Sequence, residues 1–388
     1  MRKAFFTLLA SALAFPAAIP VACAAPGADA EAETAQGRLN WTIDADPKQR
    51  AKGDVQLAFT RRTANSTWMH SSTRPLAGLI GVTAAQLGSE SGSPVSFVLD
   101  RDAGAIVCEG IVRRWRGAGE CLFHANAGFA SELGDRGYGR PSESQQFSLA
   151  LYEIGRAYLD ELSRQGYARP TVADLVRAGS HGASLDYLKA MGGRGYRVGN
   201  LTALTKMRDH GVTPDYVSEL ARLGIRDLSA DQVVKLRDHG VTPDFVSAFR
   251  SAGYSLPIDQ LVRLRDHGVS PEYVRELDRL GIKNVPADQL VKLRDHGVSP
   301  EFVGAAARHG YRFPTEALIR LRDHGVTSDY LGELEDLGYA GLAADEIVQL
   351  RTHGVTADFI RRVNASGGGR RSAAELVSLR IGGWAERQ

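Results

Sequence analysis

The tetrapeptide Arg-Asp-His-Gly occurs five times, at residues 208–211, 237–240, 265–268, 294–297 and 322–325, and nothing else in the chain limits its fold as strongly. Arg351-Thr352-His353-Gly354 is a near copy and Ser180-His181-Gly182 a worn one. The histidines His181, His210, His239, His267, His296, His324 and His353 therefore follow one another at intervals of 29, 29, 28, 29, 28 and 29 residues. A fixed period of this size means supersecondary units that cannot bury their apolar faces alone and must stack on their neighbours. Arg380-Ile381-Gly382-Gly383 falls in register with Gly382 in the histidine position, so residues 370–388, with Trp384 and Arg387, read as a degenerate end cap.

Each unit punctuates itself as two helices. The run 286–297 opens with Pro286 and Asp288, carries Leu290, Val291 and Leu293 on one side, and ends at Gly297, a residue suited to the left-handed position after a helix. Ser229-x-x-Gln232 and Ser372-x-x-Glu375 take the same opening place as capping boxes. After Val298, the string Ser299-Pro300-Glu301 supplies an N-cap, a proline at the first helical position and an acid in the first turn. The second helix then carries Phe302 and Val303 until Gly310-Tyr311 stops it. The same second helix is legible at residues 158–166 and 187–195, and residues 129–137 resemble it. Residues 143–165 read as one longer opening helix. The 28/29 alternation lies in the loop between units, where Gly253-Tyr254-Ser255-Leu256 is one residue shorter than Gly224-Ile225-Arg226-Asp227-Leu228. The expectation is an α-solenoid of about seven to eight two-helix repeats over residues 129–388.

An aspartate beside a histidine invites a catalytic or metal-binding reading of Arg208-Asp209-His210, Arg237-Asp238-His239, Arg265-Asp266-His267, Arg294-Asp295-His296 and Arg322-Asp323-His324. Repetition favours architecture, because an active site is usually single. Packed helices lie about 8–10 Å apart and each unit holds two, so equivalent histidines are too distant to share a zinc ion with nitrogens near 2.1 Å. In the architectural reading Arg294 packs its stem and offers its guanidinium to Asp295 or to the next unit's acid. His296, in the last turn, bonds a free carbonyl of the helix end. A metal or ligand ladder and a catalytic role stay as alternatives.

The remaining third differs in period. Arg2 and Lys3, an apolar stretch over residues 4–21 and Ala22-Cys23-Ala24 have the layout of a secretory signal peptide over residues 1–24, cleaved near Ala24/Ala25. Pro16 and Pro20 argue against a retained anchor, and Pro20 sits where a lipoprotein at Cys23 would want an aliphatic residue. Residues 25–37 read as a disordered linker. Alternating apolar residues at 39–44, 55–61, 95–101 and 105–113 then give a small antiparallel β-domain over residues 38–128, with Asp102-Ala103-Gly104 as a tight hairpin and residues 76–87 as a short helix or irregular crossover. Trp68, Trp115 and His70 read as core or edge residues before a ligand platform.

Removal of Cys23 leaves Cys108 and Cys121, on a hairpin of strands 105–113 and 120–125 joined around Arg116-Gly117-Ala118-Gly119. That register makes them diagonal neighbours, near the limit of disulfide geometry; with His124 they form the alternative of a three-ligand metal site. The 47 basic side chains nearly balance the 45 acidic ones, so no field draws nucleic acid, and after signal removal no stretch approaches the roughly 20 apolar residues of a membrane span.

No H-E-x-x-H, G-x-S-x-G, S-x-x-K or Walker sequence occurs, and Gly88-Ser89-Glu90-Ser91-Gly92 misplaces its serine. The repeat L-V-x-L-R-D-H-G-V-[ST]-P-[DE]-[YF] resembles the repeats C-terminal to some antirepressor-type membrane metallopeptidases related to β-lactam sensors. Residues 95–101 and Cys108-Glu109-Gly110 resemble the segment that precedes those repeats. The resemblance implies an extracytoplasmic sensory or interaction region. It does not carry over peptidase activity or β-lactam sensing, because the sequence has neither a multispan membrane stretch nor a zinc motif. The chain is thus expected to be mostly α with a small β-domain, exported to the periplasm or beyond, without a cofactor, and a non-enzymatic scaffold for a protein or peptide of the cell envelope. An envelope hydrolase with its site in the β-domain and a histidine-based metal binder are the alternatives.

Overall fold

The computed structural model describes residues 39–62, 67–366 and 369–383. The expected signal peptide with Cys23, the linker at 25–37, and Trp384 and Arg387 of the end cap lie outside these residues. The chain divides into two compact units between Ala125 and Asn126, the first a β-sheet and the second a helical repeat array.

The sheet has six antiparallel strands in the order β3-β2-β1-β6-β5-β4: β1 Leu39–Asp44, β2 Asp54–Arg62, β3 Thr67–Pro75, β4 Ser93–Arg101, β5 Gly104–Arg113 and β6 Arg116–Ala125. Period-two alternation turns Trp41, Leu57, Phe59, Phe97 and Ile106 inward, all nearly inaccessible to solvent. The crossover holds a 3₁₀ turn at Leu76–Gly78 and a short helix at Ala84–Leu87, whose Leu79 and Leu87 join this core. Trp68 and His70 lie on the edge strand β3 with their rings stacked, centroids 6.3 Å apart.

The β5–β6 hairpin differs from the expected one. The turn is the pair Arg114-Trp115, both at positive φ (51° and 66°), the twist that a two-residue hairpin requires. Residues 116–119 are strand, not loop. The indole of Trp41 crosses Gly119 and its neighbour Gly110 on β5: a Cβ on Gly119 would lie 2.7 Å from Trp41 Nε1, and one on Gly110 2.6 Å from its ring, while one on Gly117 would lie 2.5 Å from Val112. Trp41 Nε1–H donates to the Glu109 carbonyl at 3.0 Å. The shorter turn also shifts the register, so Cys108 stands directly opposite Cys121 and not diagonal to it. Their Cα atoms are 4.1 Å apart and the sulfurs are bonded, which removes both from the metal-ligand alternative.

Among the described residues the second unit contains eight complete helix pairs, from Glu143–Leu151 with Arg156–Arg164 to Ala344–Thr352 with Ala357–Ala365. A second-type helix, Ala127–Asp135, precedes them and a first-type helix, Ala373–Ile381, follows. The region 143–165 is broken where one helix was expected. Glu153 adopts φ 60°, the Ile154 amide returns to the Leu149 carbonyl at 2.9 Å, and Gly155 serves as the next N-cap. Buried Ile154 takes the place that valine holds in later turns.

First helices pack on first helices and second on second, giving two layers within the array. Helices of nine residues are marginal alone, so the caps and the stacking hold them. Thr213, Thr242, Ser270, Ser299, Thr327 and Thr356 each accept the amide three residues on, starting the second helices. Both helices of a unit end alike: in the first, Gly211 (φ 68°) turns the chain and the Val212 amide bonds the Met207 carbonyl at 2.9 Å. In the second, Gly224 and Ile225 repeat this on Leu220.

The longer inter-unit loops place their extra residue in the left-handed region, at Asp227 (φ 56°), Asn284 (φ 55°) and Gly341 (φ 81°), residue types that tolerate it. Asp227→Val is expected to destabilise the array by about 1–2 kcal/mol, the cost of a branched side chain at positive φ. Asp227→Gly is expected to be near neutral. Urea denaturation followed by circular dichroism distinguishes them, and equal midpoints for the two variants would refute this account of the 28/29 alternation.

Candidate functional site

The Arg-Asp-His triplets lie at the C-terminal ends of the first helices, one per unit, and all three groups make contacts that cross to a neighbouring unit. The arginine does not seek a carboxylate. Its guanidinium lies over the aromatic ring of the preceding unit's second helix: Arg208 over Tyr187 at 5.3 Å, Arg237 over Tyr216 at 5.4 Å, Arg265 over Phe245 at 5.4 Å, Arg294 over Tyr273 at 5.5 Å and Arg322 over Phe302 at 5.0 Å. Its Nε–H also reaches the glycine carbonyl in the preceding hairpin turn, from Arg208 to Gly182 at 3.1 Å and from Arg322 to Gly297 at 3.0 Å. The tyrosines answer in the opposite direction. Tyr187, Tyr216, Tyr273 and Tyr330 donate their hydroxyls to the carbonyls of Val212, Val241, Val298 and Val355 in the next turn, at 2.7–2.9 Å. Phe302 has no hydroxyl, and there Arg322 Nη1 takes the Val326 carbonyl instead, at 2.9 Å.

Histidine was expected to bond a carbonyl of its own helix end. Those carbonyls are occupied by backbone amides, as Arg208 and Met207 accept from Gly211 and Val212. The ring turns outward and Nδ1 meets the next unit's aspartate: His181–Asp209 at 2.7 Å, His210–Asp238 at 2.8 Å, His239–Asp266 at 2.7 Å, His267–Asp295 at 2.8 Å and His296–Asp323 at 2.6 Å. Where Thr352 replaces aspartate, its hydroxyl meets His324 Nδ1 at 3.2 Å. A parallel row of ion pairs joins first helices, as in Lys206–Asp231 and Lys235–Asp259, both at 2.8 Å. Among the described residues no group of three or more His, Cys, Asp or Glu side chains converges as metal ligands would.

A cleft of about 470 Å³ in the sheet unit is lined by Asp44, Asp46, Arg50, Arg113, Arg114 and Arg116 and by no serine, cysteine or histidine. Asp46 is engaged there as the cap of helix Pro47–Lys52.

A larger groove lies in the array. It measures about 660 Å³ and runs between the loop at Tyr196, Arg197 and Val198 and the loop at Ile225, Arg226 and Asp227, with Ala203 and Ala221 in its walls. The groove opens where the repeat departs from itself. Gln232 with Arg250 and Gln260 with Asp278 stand in the next two units where this one pairs Ala203 with Ala221; farther along, alanine recurs at only one of the two positions in a unit, as Ala307 or Ala317. The loop is also drawn toward the preceding unit, since the Ala168 amide donates to the Gly199 carbonyl at 2.8 Å. The repeated triplet drew the sequence reading away from these positions; the signal was the loss of a side chain at two repeat positions in one unit. A further polar cluster was also overlooked: Gln165 Nε2 bonds the Glu161 carboxylate at 2.5 Å and the Leu188 carbonyl at 3.1 Å, between neighbouring second helices.

No protein-family model matches the chain, and none of the curated proteins matches it.

Two predictions follow from the inter-unit contacts. Arg322→Lys keeps the charge but not the planar fork, and is expected to cost about 1–2 kcal/mol from lost ring and carbonyl contacts. His296→Ala breaks a half-exposed histidine–aspartate contact and is expected to cost less, about 0.2–1 kcal/mol. Chemical denaturation of both variants tests the order, and a larger loss for the histidine variant would refute it.

The second concerns alkali. Burial pushes the phenols of Tyr187, Tyr216 and Tyr273 up to about 12, partly opposed by Arg208, Arg237 and Arg294. The folded state thus prefers the neutral phenol. The stability this supplies is fully present below the ordinary tyrosine value near 10 and is lost as pH rises toward 12. Tyrosinate absorbance and helix loss should therefore rise together between pH 10 and 12. Titration of these phenols near pH 10 with the helices intact would contradict the burial.

Proposed function

We propose that this protein is an exported, non-enzymatic scaffold that holds a protein or peptide of the cell envelope on its repeat array. The observation that carries this reading is the commitment of the Arg-Asp-His groups to holding units together. The side chains with the most evident chemistry are used up in construction, while the variation between units opens a groove of about 660 Å³, within the roughly 300–1,000 Å³ range of ligand sites. Repeat arrays characteristically bind through extended surfaces of this kind. The export part of the proposal rests on the signal-like residues 1–24 and on the Cys108–Cys121 bond, which suits an oxidising compartment. No helix among the described residues is long and apolar enough to cross a membrane. The resemblance to extracytoplasmic regions of antirepressor-type metallopeptidases agrees with the same placement.

The test is crosslinking of the full chain in its native envelope, followed by affinity purification and mass spectrometry. A reproducible protein or peptide partner that survives stringent washing is the expected outcome. Absence of any partner would overturn the proposal, and a hydrolytic activity of the purified chain would replace it with the enzyme reading.

A further inference from the structure

We propose that the groove between the loops at 196–199 and 225–229 binds an extended peptide segment bearing a carboxylate beside an apolar side chain. This rests on the scaffold reading and specifies its site and ligand chemistry.

Three observations lead there. The floor and walls are apolar and small, formed by Ala203, Val217, Leu220, Ala221 and Val233, so a bulky aliphatic side chain enters without displacing charge. The rim is cationic. Arg194 is neutralised by Asp215 at 2.6 Å, but Arg197 is exposed and makes no hydrogen bond or ion pair among the described residues. Arg226 uses only its Nε–H, which caps the Ala221 carbonyl at 2.9 Å and leaves the rest of its fork exposed. Against these two guanidiniums stands one carboxylate in the lining, Asp227. A carboxylate is the planar partner a guanidinium fork pairs with best.

The third observation is shape. The site is a groove between two loops, not an enclosed cavity, the form an extended chain can lie in. Tyr196 fixes the width by donating its hydroxyl to the Leu228 carbonyl at 2.5 Å, tying one loop to the other. Loop backbone outside helices supplies the amides and carbonyls with which extended peptides are usually held.

The repeat itself provides a variant that fills the site without threatening the fold. Ala203→Gln installs the residue that Gln232, Gln260 and Gln289 carry at the same position. The experiment exposes the full chain to a hexapeptide library with free C-termini and identifies retained peptides by affinity-selection mass spectrometry. The strongest is resynthesised with a fluorescent label for polarisation measurements, in free-acid and amidated forms and with any Asp or Glu replaced by its amide. Enrichment of peptides pairing Leu, Ile or Val with a carboxylate is expected. Ala203→Gln and Arg197→Glu should each weaken binding at least tenfold while leaving the unfolding midpoint within a degree or two. Neutralising the peptide carboxylate should do the same.

Peptides that bind equally well to both variants would overturn the groove assignment while leaving the scaffold reading standing. Loss of binding on Ala203→Gln but indifference to the carboxylate would overturn the ligand chemistry. Failure to retain any peptide also overturns this proposal; the scaffold reading falls with it only if crosslinking finds no envelope partner.

Discussion

The array depends on one contact, the guanidinium of each unit laid on the aromatic ring of the unit before it. Nine-residue helices return too few backbone bonds to offset their nucleation, so a single hairpin of this sequence is not a stable body. The arginine removes that problem at the boundary between units. From the end of a first helix it covers the ring of Tyr187 or its equivalents and bonds the carbonyl of the preceding turn, while the tyrosine hydroxyl returns a bond to the following turn. Carbonyls left free at the hairpin turns thus find partners only when the next unit is in place. Forming a unit and adding it to the stack are the same event, as expected for an array whose stability is a sum of nearest-neighbour terms.

The histidine–aspartate pairs act at the same boundaries but carry less. Both partners remain near 40% exposed, for example His210 at 39% and Asp238 at 44%, and pairs of that kind contribute little in water. Their regularity reflects a shared edge, where the C-cap of one first helix faces the last residue of the next. Identical roles in unit after unit cannot confer a distinct function on any one of them. What distinguishes one part of the array from another must lie where the repeat breaks its own pattern, and the pairing of Ala203 with Ala221 in one unit is such a break.

Legibility followed the range of the interaction. Caps, helix ends and the period are written within a few neighbouring residues, so Ser299-Pro300-Glu301 and Gly297 were sufficient to place two helix boundaries. The break at Glu153 was hidden because a non-glycine residue holds the left-handed position that glycine marks elsewhere. The partner of Arg294 is set 21 residues away across a unit boundary, and nothing local distinguishes the ring of Tyr273 from a carboxylate. The hairpin register failed for a similar reason. Gly117 and Gly119 look like a loop until the side chains of Ile43 and Trp41, from a different strand, are known to press on them. The groove was the least legible feature, because it is made of side chains that are missing.

The alternation of 28 and 29 residues has a chemical counterpart that explains why the groove occurs where it does. From residue 214 to residue 311 the second helices carry Tyr216, Phe245, Tyr273 and Phe302 under arginine, while the residues after their terminal glycines run Ile225, Tyr254, Ile282 and Tyr311. Each unit so keeps one tyrosine hydroxyl for the next: Tyr216 bonds Val241, Tyr254 bonds Val285, Tyr273 bonds Val298 and Tyr311 bonds Tyr339. An isoleucine in that loop position leaves room that a tyrosine would fill. Room alone is insufficient, because the unit ending at Ile282 has the same isoleucine but carries Gln260 and Asp278 where the groove has Ala203 and Ala221, and Ser255 where it has Arg197. Ile225 is shared with the regular pattern, and so is the arginine, which recurs as Arg226 and Arg312; the departure is two alanines in one unit, since elsewhere alanine stands at only one of the two positions, as Ala307 and Ala317. The isoleucine supplies the space, two alanines in one unit give it a shape, and an arginine that the repeat also carries elsewhere gives it a charge.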